Sequence, residues 1–428
     1  MPLFQLSSWT TNTLAHETTL ANASYHTIVL PNVDTLYSEA LIDLSRSDVV
    51  ATMPSLEAGR FYVWPFYDLY GNNFCNIGTE TNSTAGKYLI KFRPSNPGCT
   101  AASGEYKGII YMPTVYGASL LRIEVSNTSD ANYVVASIQP GFRLSALPSY
   151  SPLSAPPLTQ ALLNGNLTTN NSPLYIMQLT ARLAAYNPPE VAADVASVTF
   201  MLETAGISMT HHTYTTPSGV DLSQAFAAAQ ALMFGIITAP GVFESLGNGW
   251  AEITPALCGD FHSRYDVRAF IAVQAYLQLQ ASQALYPTFE LSETLFANQT
   301  YMLQFFGKPQ INGFWSLTMY DGDGFLVPNS LNRYSLNNRG NLTYPDGQLV
   351  YGDGSPADSA EDFYMLLQST DSAVSPEWES NWLPTPAAGG AFRFYLRFYG
   401  PTDTLLDGEY TYPNLTAVAV NPPLPSSS

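Results

Sequence analysis

Charged residues are scarce in this chain of 428 residues. They make up 12% of it, about half of the ~25% found in soluble domains. Lysine occurs only four times, as Lys87, Lys91, Lys107 and Lys308, and the formal net charge is −18. Because a chain with this charge repels polyanions, the composition argues against nucleic acid and anionic membranes as partners.

The sequence also lacks long apolar runs and several common catalytic motifs. No apolar run reaches about 18 residues, so no membrane span is predicted. The absence of a Gly-x-Ser-x-Gly elbow argues against an α/β-type serine hydrolase. The absence of Gly-rich dinucleotide and P-loop patterns leaves no predicted nucleotide site. The histidines lack metal-ligand spacing, with positions at His16, His26, His211, His212 and His262. We therefore expect neither a cofactor nor a resident metal ion.

Only three cysteines are present, and they allow a single disulfide. Cys75 and Cys99 flank strands of one predicted domain and are the candidate pair, and free thiols at both positions are the alternative. Cys258 is then left as a free, buried thiol. A catalytic cysteine is not predicted, because nothing around Cys258 resembles a cysteine-protease motif.

Aromatic side chains are abundant, with 27 tyrosines and 22 phenylalanines. Large aromatic β surfaces are compatible with a homodimer. Eight Asn-x-Ser/Thr sequons occur, at Asn22, Asn82, Asn127, Asn166, Asn170, Asn298, Asn341 and Asn414. Together with the scarce lysine, they favour a glycosylated protein that is secreted or lies in the lumen of the secretory pathway. No basic and apolar signal sequence opens the chain, so we expect that a signal peptide has been removed.

The order of sequence patterns predicts a mainly β protein with a helical insert. Short β-branched or aromatic runs fill residues 1–145 and return over 291–420. Apolar residues at helical spacing occupy 174–290. A Pro-, Ser- and Asn-rich stretch at 146–173 is interpreted as a linker, and the end at 421–428 as a disordered tail. We therefore predict two β-sandwich or jelly-roll-like domains separated by a helical segment.

Sequence blocks in both predicted β domains resemble a known domain pair. The N-terminal blocks are residues 31–38 and 60–68, and the C-terminal blocks are 314–321, 332–336 and 394–401. Their order and spacing resemble the paired domains of unknown function “twelve-fifty-four” and “twelve-fourteen” of bacteria and filamentous fungi. The resemblance implies a two-domain architecture. It implies little chemistry, because the function of the family is poorly defined.

The predicted site consists of polar residues in aromatic surroundings. We expect part of this set to line a pocket between the two β domains, because pockets often form at domain interfaces. Candidate catalytic residues are Arg333, Arg397, Tyr67 and Asp68. Candidate substrate-binding residues are Asn32, Asp34, Tyr37, Tyr70, Arg122, Trp315, Trp382 and Tyr399. A structural interpretation is the alternative: strand arginines pair with Asp34, Asp68 or Asp321 and brace the domains, because an unpaired buried guanidinium costs several kcal/mol. These arginines are Arg122, Arg333, Arg393 and Arg397.

The sequence-based prediction of function rests on these candidates and on the missing motifs. We predict a secreted, cofactor-independent enzyme that acts on a hydrophobic or aromatic small molecule. The favoured class is a natural-product pericyclase of the hetero-Diels–Alder type, since a shaped pocket with Arg and Tyr donors needs neither nucleophile nor metal. The alternatives are a hydrolase or isomerase that uses carboxylates such as Asp34 and Asp68, and a glycan- or protein-binding module.

Overall fold

The N-terminal domain is a sandwich of two five-stranded sheets. The computed structural model describes residues 10–26, 29–148, 153–289, 294–355 and 359–425. The strands of this domain are β1 (Ala15–His16), β2 (Thr35–Asp43), β3 (Ser47–Met53), β4 (Tyr62–Asp68), β5 (Asn73–Gly78), β6 (Gly86–Phe92), β7 (Gly98–Ala101), β8 (Tyr106–Met112), β9 (Tyr116–Glu124) and β10 (Arg143–Pro148). The sheet orders are β1-β2-β9-β4-β5 and β10-β3-β6-β8-β7.

Alternation along the strands decides which side chains enter the core between these sheets. On β9, Leu121 and Ile123 belong to the core and are fully buried. Because successive side chains of a strand point to opposite faces, Arg122 faces away from this core. The outer face of the first sheet is therefore available for contact with the rest of the chain.

A disulfide connects the two sheets of the N-terminal domain. Cys75 of β5 and Cys99 of β7 are bonded, with their Cα atoms 5.5 Å apart. Such a link typically stabilises a fold by about 2–4 kcal/mol, chiefly by restricting the unfolded chain. Cys258 is free and buried.

A helical segment follows the N-terminal domain. Helix α1 (Thr128–Tyr133) precedes β10, and the segment itself contains α2 (Gln160–Asn164), α3 (Ser172–Leu183), α4 (Val195–Thr204), the short pair β11 (Ile207–Ser208) and β12 (Thr213–Tyr214), α5 (Leu222–Gly235) and α6 (Tyr265–Gln274). Asp221 begins α5 by accepting the N–H groups of Ser223 and Gln224. Within the described ranges, every helix is too short or too polar to cross a bilayer.

The C-terminal domain packs an eight-stranded sheet on a four-stranded one. Its elements are β13 (Phe243–Gly247), β14 (Trp250–Ile253), β15 (Ala284–Leu285), β16 (Thr288–Phe289), β17 (Leu295–Phe296), β18 (Thr300–Phe305), β19 (Trp315–Asp321), β20 (Ser335–Asn337), β21 (Phe363–Ser369), β22 (Trp382–Thr385), β23 (Ala391–Tyr399), α7 (Asp403–Leu406) and β24 (Asn414–Val418). The orders are β13-β14-β16-β23-β19-β20, with β15 and β17 also on β23, and β22-β21-β18-β24. The predicted mainly β class with a helical insert is confirmed.

The predicted boundary at residue 290 falls inside this sheet. Strands β13 to β16 lie within the stretch predicted as helical, and they belong to the C-terminal sheet. Trp250 of β14 packs at ring-centroid distances of 5.5 Å from Phe289 and 5.7 Å from Phe394. The prediction was wrong here because these short strands gain their stability from an aromatic core formed by distant residues.

The predicted linker and tail are also more ordered than expected. In the 146–173 stretch, Leu158 is buried and donates its N–H to Asp43 at 2.8 Å. Near the end, the indole of Trp378 donates to the carbonyl of Pro422 at 2.6 Å. Leu158 and Pro422 therefore hold the described parts of these two stretches against the domains, because their backbone groups are hydrogen-bonded there. Residues 426–428 of the predicted tail lie outside the described residues.

The two β domains meet through the outer face of the first N-terminal sheet. Phe61 and Val63 form one apolar cluster with Phe314 and Tyr399 of the C-terminal domain. The rings of Phe61 and Phe314 make an edge-to-face contact at 5.7 Å. This contact places strands β2, β4 and β9 opposite strands β19 and β23.

Candidate functional site

Strand β23 presents two polar side chains to the domain interface. Phe394, Leu396 and Phe398 are buried in the C-terminal core. The alternation of a strand therefore places Arg397 and Tyr399 on the opposite face, towards the N-terminal domain. Both are almost fully buried, with 6% and 1% of their surface exposed.

The N-terminal domain and the end of the helical segment supply the facing residues. Arg122 of β9 and Tyr37 of β2 are direct register partners. Tyr286 follows β15, and its ring centroid lies 6.3 Å from that of Tyr399. We call these five residues, Tyr37, Arg122, Tyr286, Arg397 and Tyr399, the tyrosine–arginine centre.

Within the described part of the chain, Arg397 is hydrogen-bonded to neutral oxygen atoms. Its Nη1 donates to the hydroxyl of Thr318 at 2.9 Å. Its Nη2 donates to the hydroxyl of Tyr320 at 2.8 Å and to the carbonyl of Leu30 at 3.3 Å. The hydroxyl of Tyr320 in turn donates to the carbonyl of Pro31 at 2.7 Å, so these bonds connect the two domains.

Arg122 has unused hydrogen-bond donors although it is only 5% exposed. Its Nη2 donates to the carbonyl of Leu277 at 2.9 Å, and the hydroxyl of Tyr67 donates to the same carbonyl at 2.8 Å. The Nε and Nη1 atoms are buried and have no hydrogen-bond partner among the described residues. Leaving such donors unsatisfied is costly, and functional sites are where such groups are expected.

Two tyrosines of the centre, Tyr286 and Tyr399, are neutral hydrogen-bonding groups. Burial raises the pKa of Tyr399 well above its usual value, and burial likewise raises the pKa of Tyr286. The amide of Asn32 donates to the Tyr399 hydroxyl at 2.5 Å. Protonated phenols donate hydrogen bonds but carry no negative charge, so they do not neutralise the two guanidinium groups.

No carboxylate of the described residues forms an ion pair with Arg122 or Arg397. Asp34, which is nearby in sequence to Asn32, pairs instead with Arg339 across the domain interface. Arg339 also approaches Glu124 at 3.5 Å and donates to the carbonyl of Val125 at 2.8 Å. The predicted ion pair between the domains therefore exists, but Arg339 forms it, and the strand arginines have no ion pair with a carboxylate of the described residues.

Tyr37 and Tyr286 form the exposed edge of the centre. These two side chains are partly exposed, whereas Arg122, Arg397 and Tyr399 are buried. The apolar side chains of Phe61 and Phe314 pack against Tyr286 and Tyr399, and Arg122 has donors that are unpaired among the described residues. This combination of apolar walls and a few polar groups is typical of small-molecule sites.

Arg333 lies in another part of the C-terminal domain. Its Nη1 donates to the carbonyls of Trp382, at 3.0 Å, and of Glu379. Arg333 thus holds the backbone at the start of β22, and these contacts place it away from the tyrosine–arginine centre. Arg393 is exposed and donates to the carbonyl of Gly322 at 2.7 Å.

The two predicted tryptophans belong to the C-terminal domain interior. Trp315 is fully buried, and its indole donates to the hydroxyl of Tyr351 at 2.9 Å. Trp382 donates to the carbonyl of Gln368 at 2.9 Å. Trp315 was expected in the pocket wall. Side chains alternate along β19, so Trp315 points into the core together with Leu317 and Met319.

Asp68 and Tyr70 lie at the contact between the β4–β5 turn and the helical segment. Asp68 accepts the N–H groups of Tyr70 and Asn72 at 2.8 and 2.9 Å. Its second oxygen lies 4.0 Å from Nη1 of Arg268. The Tyr70 hydroxyl donates to the carbonyl of Asn187 at 2.5 Å. Neither side chain joins the tyrosine–arginine centre, although Tyr67 of the same strand does border it.

Asp68, Glu190 and Asp260 form what we call the carboxylate cluster. The amide of Asn72 donates to Asp260 at 3.0 Å and also to Glu190. Burial, followed by the negative charges of Asp260 and Asp68, raises the pKa of Glu190 to about 8. His262 lies 3.4 Å from Glu190 and from Asp260, and these three side chains have the spacing that a cation could use.

An open groove of about 550 Å³ lies elsewhere on the molecule. It is lined by Pro156, Pro157, Leu162, Arg182, Tyr186 and His212. His212 stacks on Tyr186 with a hydrogen bond of 3.0 Å between them. The groove is wide and shallow and contains none of the predicted site residues.

Sequence reasoning missed Tyr286 and Arg339. Tyr286 lies in a stretch predicted as helical, so no strand alternation indicated its direction. Arg339 lies in the turn after β20, where the local pattern gives no sign of burial. A pairing of the Arg339 charge with Asp34 was not foreseeable, because 305 residues separate the two.

Comparison with known families agrees with this two-domain division. Residues 11–146 match the family described as Protein of unknown function (DUF1254), and residues 286–403 match Protein of unknown function (DUF1214). The chain belongs to this two-domain family, as its sequence blocks predicted. No curated protein matches the chain.

Two solved structures are similar to this fold. The crystal structure of the VPA0106 protein from Vibrio parahaemolyticus has a TM-score of 0.64 and 17% sequence identity, and the match covers 96% of this chain and 92% of that one. An uncharacterised protein from Burkholderia cenocepacia has a TM-score of 0.43 and 10% identity, over 93% and 80% of the two chains. The first similarity supports the fold and says nothing about the reaction.

Proposed function

We propose that this protein is a cofactor-independent enzyme that binds a hydrophobic, oxygen-bearing small molecule at the tyrosine–arginine centre. The observation that carries the proposal is the state of Arg122, a buried guanidinium whose Nε and Nη1 have no hydrogen-bond partner among the described residues. A bound carbonyl oxygen would satisfy these donors.

The centre is suited to polarising such a carbonyl. Arg122 and Arg397 are positively charged, and the phenols around them are neutral donors. Donors held in place in a dry environment stabilise charge that develops on oxygen more strongly than donors in water do. Arg397 is held by Thr318 and Tyr320, so its position costs little reorganisation during a reaction.

The favoured reaction class is a pericyclic addition of the hetero-Diels–Alder type. Such a reaction requires two apolar partners held in contact and an activated carbonyl or quinone methide. Aromatic rings border the centre, and Phe314 stacks on Tyr399 at 4.3 Å. Asp34 and Asp68, the pair needed for the hydrolase alternative, contact different arginines and do not converge on one site.

Substitution of Arg122 by methionine tests the proposal. The substrates would be ortho-quinone methides offered with hydrophobic alkenes, and the cycloadduct would be quantified by mass spectrometry. We expect Arg122→Met to lower turnover by about 10- to 1,000-fold, the range for loss of one preorganised donor. Arg393→Met is the matched control, because Arg393 lies on β23 but is exposed. Full turnover in folded Arg122→Met protein, or no acceleration by the wild type, would contradict the proposal.

We also propose that the chain is glycosylated in a secretory compartment. Seven of the eight sequon asparagines are exposed, and Asn414 is partly exposed. Exposed acceptor sites are what glycosylation requires. Protein made in a eukaryotic secretory host should lose the mass of several glycans on enzymatic deglycosylation. An unchanged mass would remove this support for secretion.

A further inference from the structure

We infer that the ligand of the tyrosine–arginine centre is a hydrophobic organic acid that binds as its anion. This inference rests on the proposed function for the location of the ligand, and it adds the charge of the ligand. It follows from the electrostatic balance of the centre, which has two buried cations and no anion among the described residues.

The positive charge of the centre is not compensated from within the described protein. Arg122 and Arg397 are 5% and 6% exposed, so water does not screen them well. Burying one unpaired ion costs several kcal/mol, because its hydration is lost. Arg339 shows the usual solution, since its side chain is only 11% exposed and has the carboxylates of Asp34 and Glu124 beside it.

The two arginines have different roles in binding an anion. Arg397 already has three neutral acceptors, from Thr318, Tyr320 and Leu30, so it contributes mainly its charge. Arg122 donates from Nη2 to the carbonyl of Leu277, and its Nε and Nη1 have no hydrogen-bond partner among the described residues, so these two groups can hold a ligand. A carboxylate or an equally acidic oxygen acid would receive charge-assisted hydrogen bonds there, which are stronger than bonds to a neutral carbonyl.

The neighbouring side chains favour an acid with an apolar body. Phe61, Val63, Leu279 and Phe314 form an apolar cluster with Tyr399 beside the charges. Tyr286 packs partly against the same cluster and is partly exposed. A hydrated inorganic anion would leave these surfaces unused, whereas an aromatic acid would cover them.

Binding of para-benzoylbenzoate, compared with its neutral amide, tests the inference. Both probes have the same aromatic body, and their dissociation constants would be measured by calorimetry at neutral pH. We expect the acid to bind about 10-fold more tightly or better, the difference between charge-assisted and neutral hydrogen bonds. Arg122→Met should abolish this preference, and Arg393→Met should keep it.

A second measurement needs no variant. The benzophenone group of para-benzoylbenzoate crosslinks on irradiation, and peptide mapping should place it near Tyr37 or Tyr286. Equal affinity for acid and amide, both displaced from the same crosslinking site, would overturn the anion inference and leave the proposed binding site intact. No binding of either probe, or crosslinking confined to other surfaces, would overturn both. A preference for the acid that persists in Arg122→Met would also overturn the inference.

Discussion

The tyrosine–arginine centre and the carboxylate cluster bury opposite excesses of charge in one molecule. The centre holds two guanidiniums, Arg122 and Arg397, among neutral oxygens. The cluster holds Asp68, Glu190 and Asp260 with one arginine, Arg268, near Asp68. Both occur where the N-terminal domain meets the rest of the chain.

The difference shows two ways in which a protein tolerates buried charge. A carboxylate can bind a proton, and the raised pKa of Glu190, about 8, shows that it does so near neutral pH. An arginine cannot give up its proton at such pH. The cluster can therefore neutralise itself, whereas the centre depends on an anion from outside. This makes the centre the better candidate for ligand binding.

The largest expected effect is a difference in unfolding free energy between substitutions in the two regions. Arg268→Met should strand the buried carboxylate of Asp68 and cost up to about 3–5 kcal/mol of unfolding free energy. Arg122→Met should be neutral or stabilising, because no carboxylate depends on Arg122 and a buried charge is removed. Thermal and denaturant unfolding of both variants would measure this. Equal destabilisation by the two substitutions would mean that Arg122 has an internal partner.

A smaller effect concerns the pH dependence of stability. The pKa of Glu190 is about 8 in the folded protein, against an ordinary value of 4.5. Between these values the folded state keeps a proton that the unfolded state releases, so stability should fall as pH rises from about 4.5 to 8. Glu190→Gln lacks this titration, and its melting temperature should decline less over that range. Glu252, whose pKa is also raised to about 8 by burial, is present in both proteins and cancels in the comparison.

The smallest expected effect is on the pH profile of turnover. Arg122 and Arg397 stay protonated, and burial raises the pKa of Tyr286 and of Tyr399, so these four groups of the tyrosine–arginine centre keep their charge from about pH 6 to 9. Turnover should be nearly flat over this range. Titration of folded wild-type protein with a saturating substrate would measure it. An inflection near pH 8 that disappears in Glu190→Gln would move the chemistry to the carboxylate cluster.

Strand alternation made part of the site predictable. The pattern of β23 separates Phe394 and Leu396 from Arg397, so a polar face could be expected on that strand. The same pattern on β19 should have assigned Trp315 to the core with Leu317. Arg333 was chosen because it lies in a specific sequence block, but it belongs to a loop, where no periodicity indicates the direction of its side chain.

The sequence by itself determined the β class, the domain pair and the faces of the long strands, because alternation and turn residues act over a few neighbouring positions. Only the tertiary structure decided which faces meet and which arginines receive a carboxylate. Asn32 and Tyr399 are 367 residues apart, and Arg122 and Leu277 are 155 apart. Contacts of this kind depend on how whole sheets pack, and a local pattern contains no information about the partner. The charge balance of the tyrosine–arginine centre is for that reason a property of the fold.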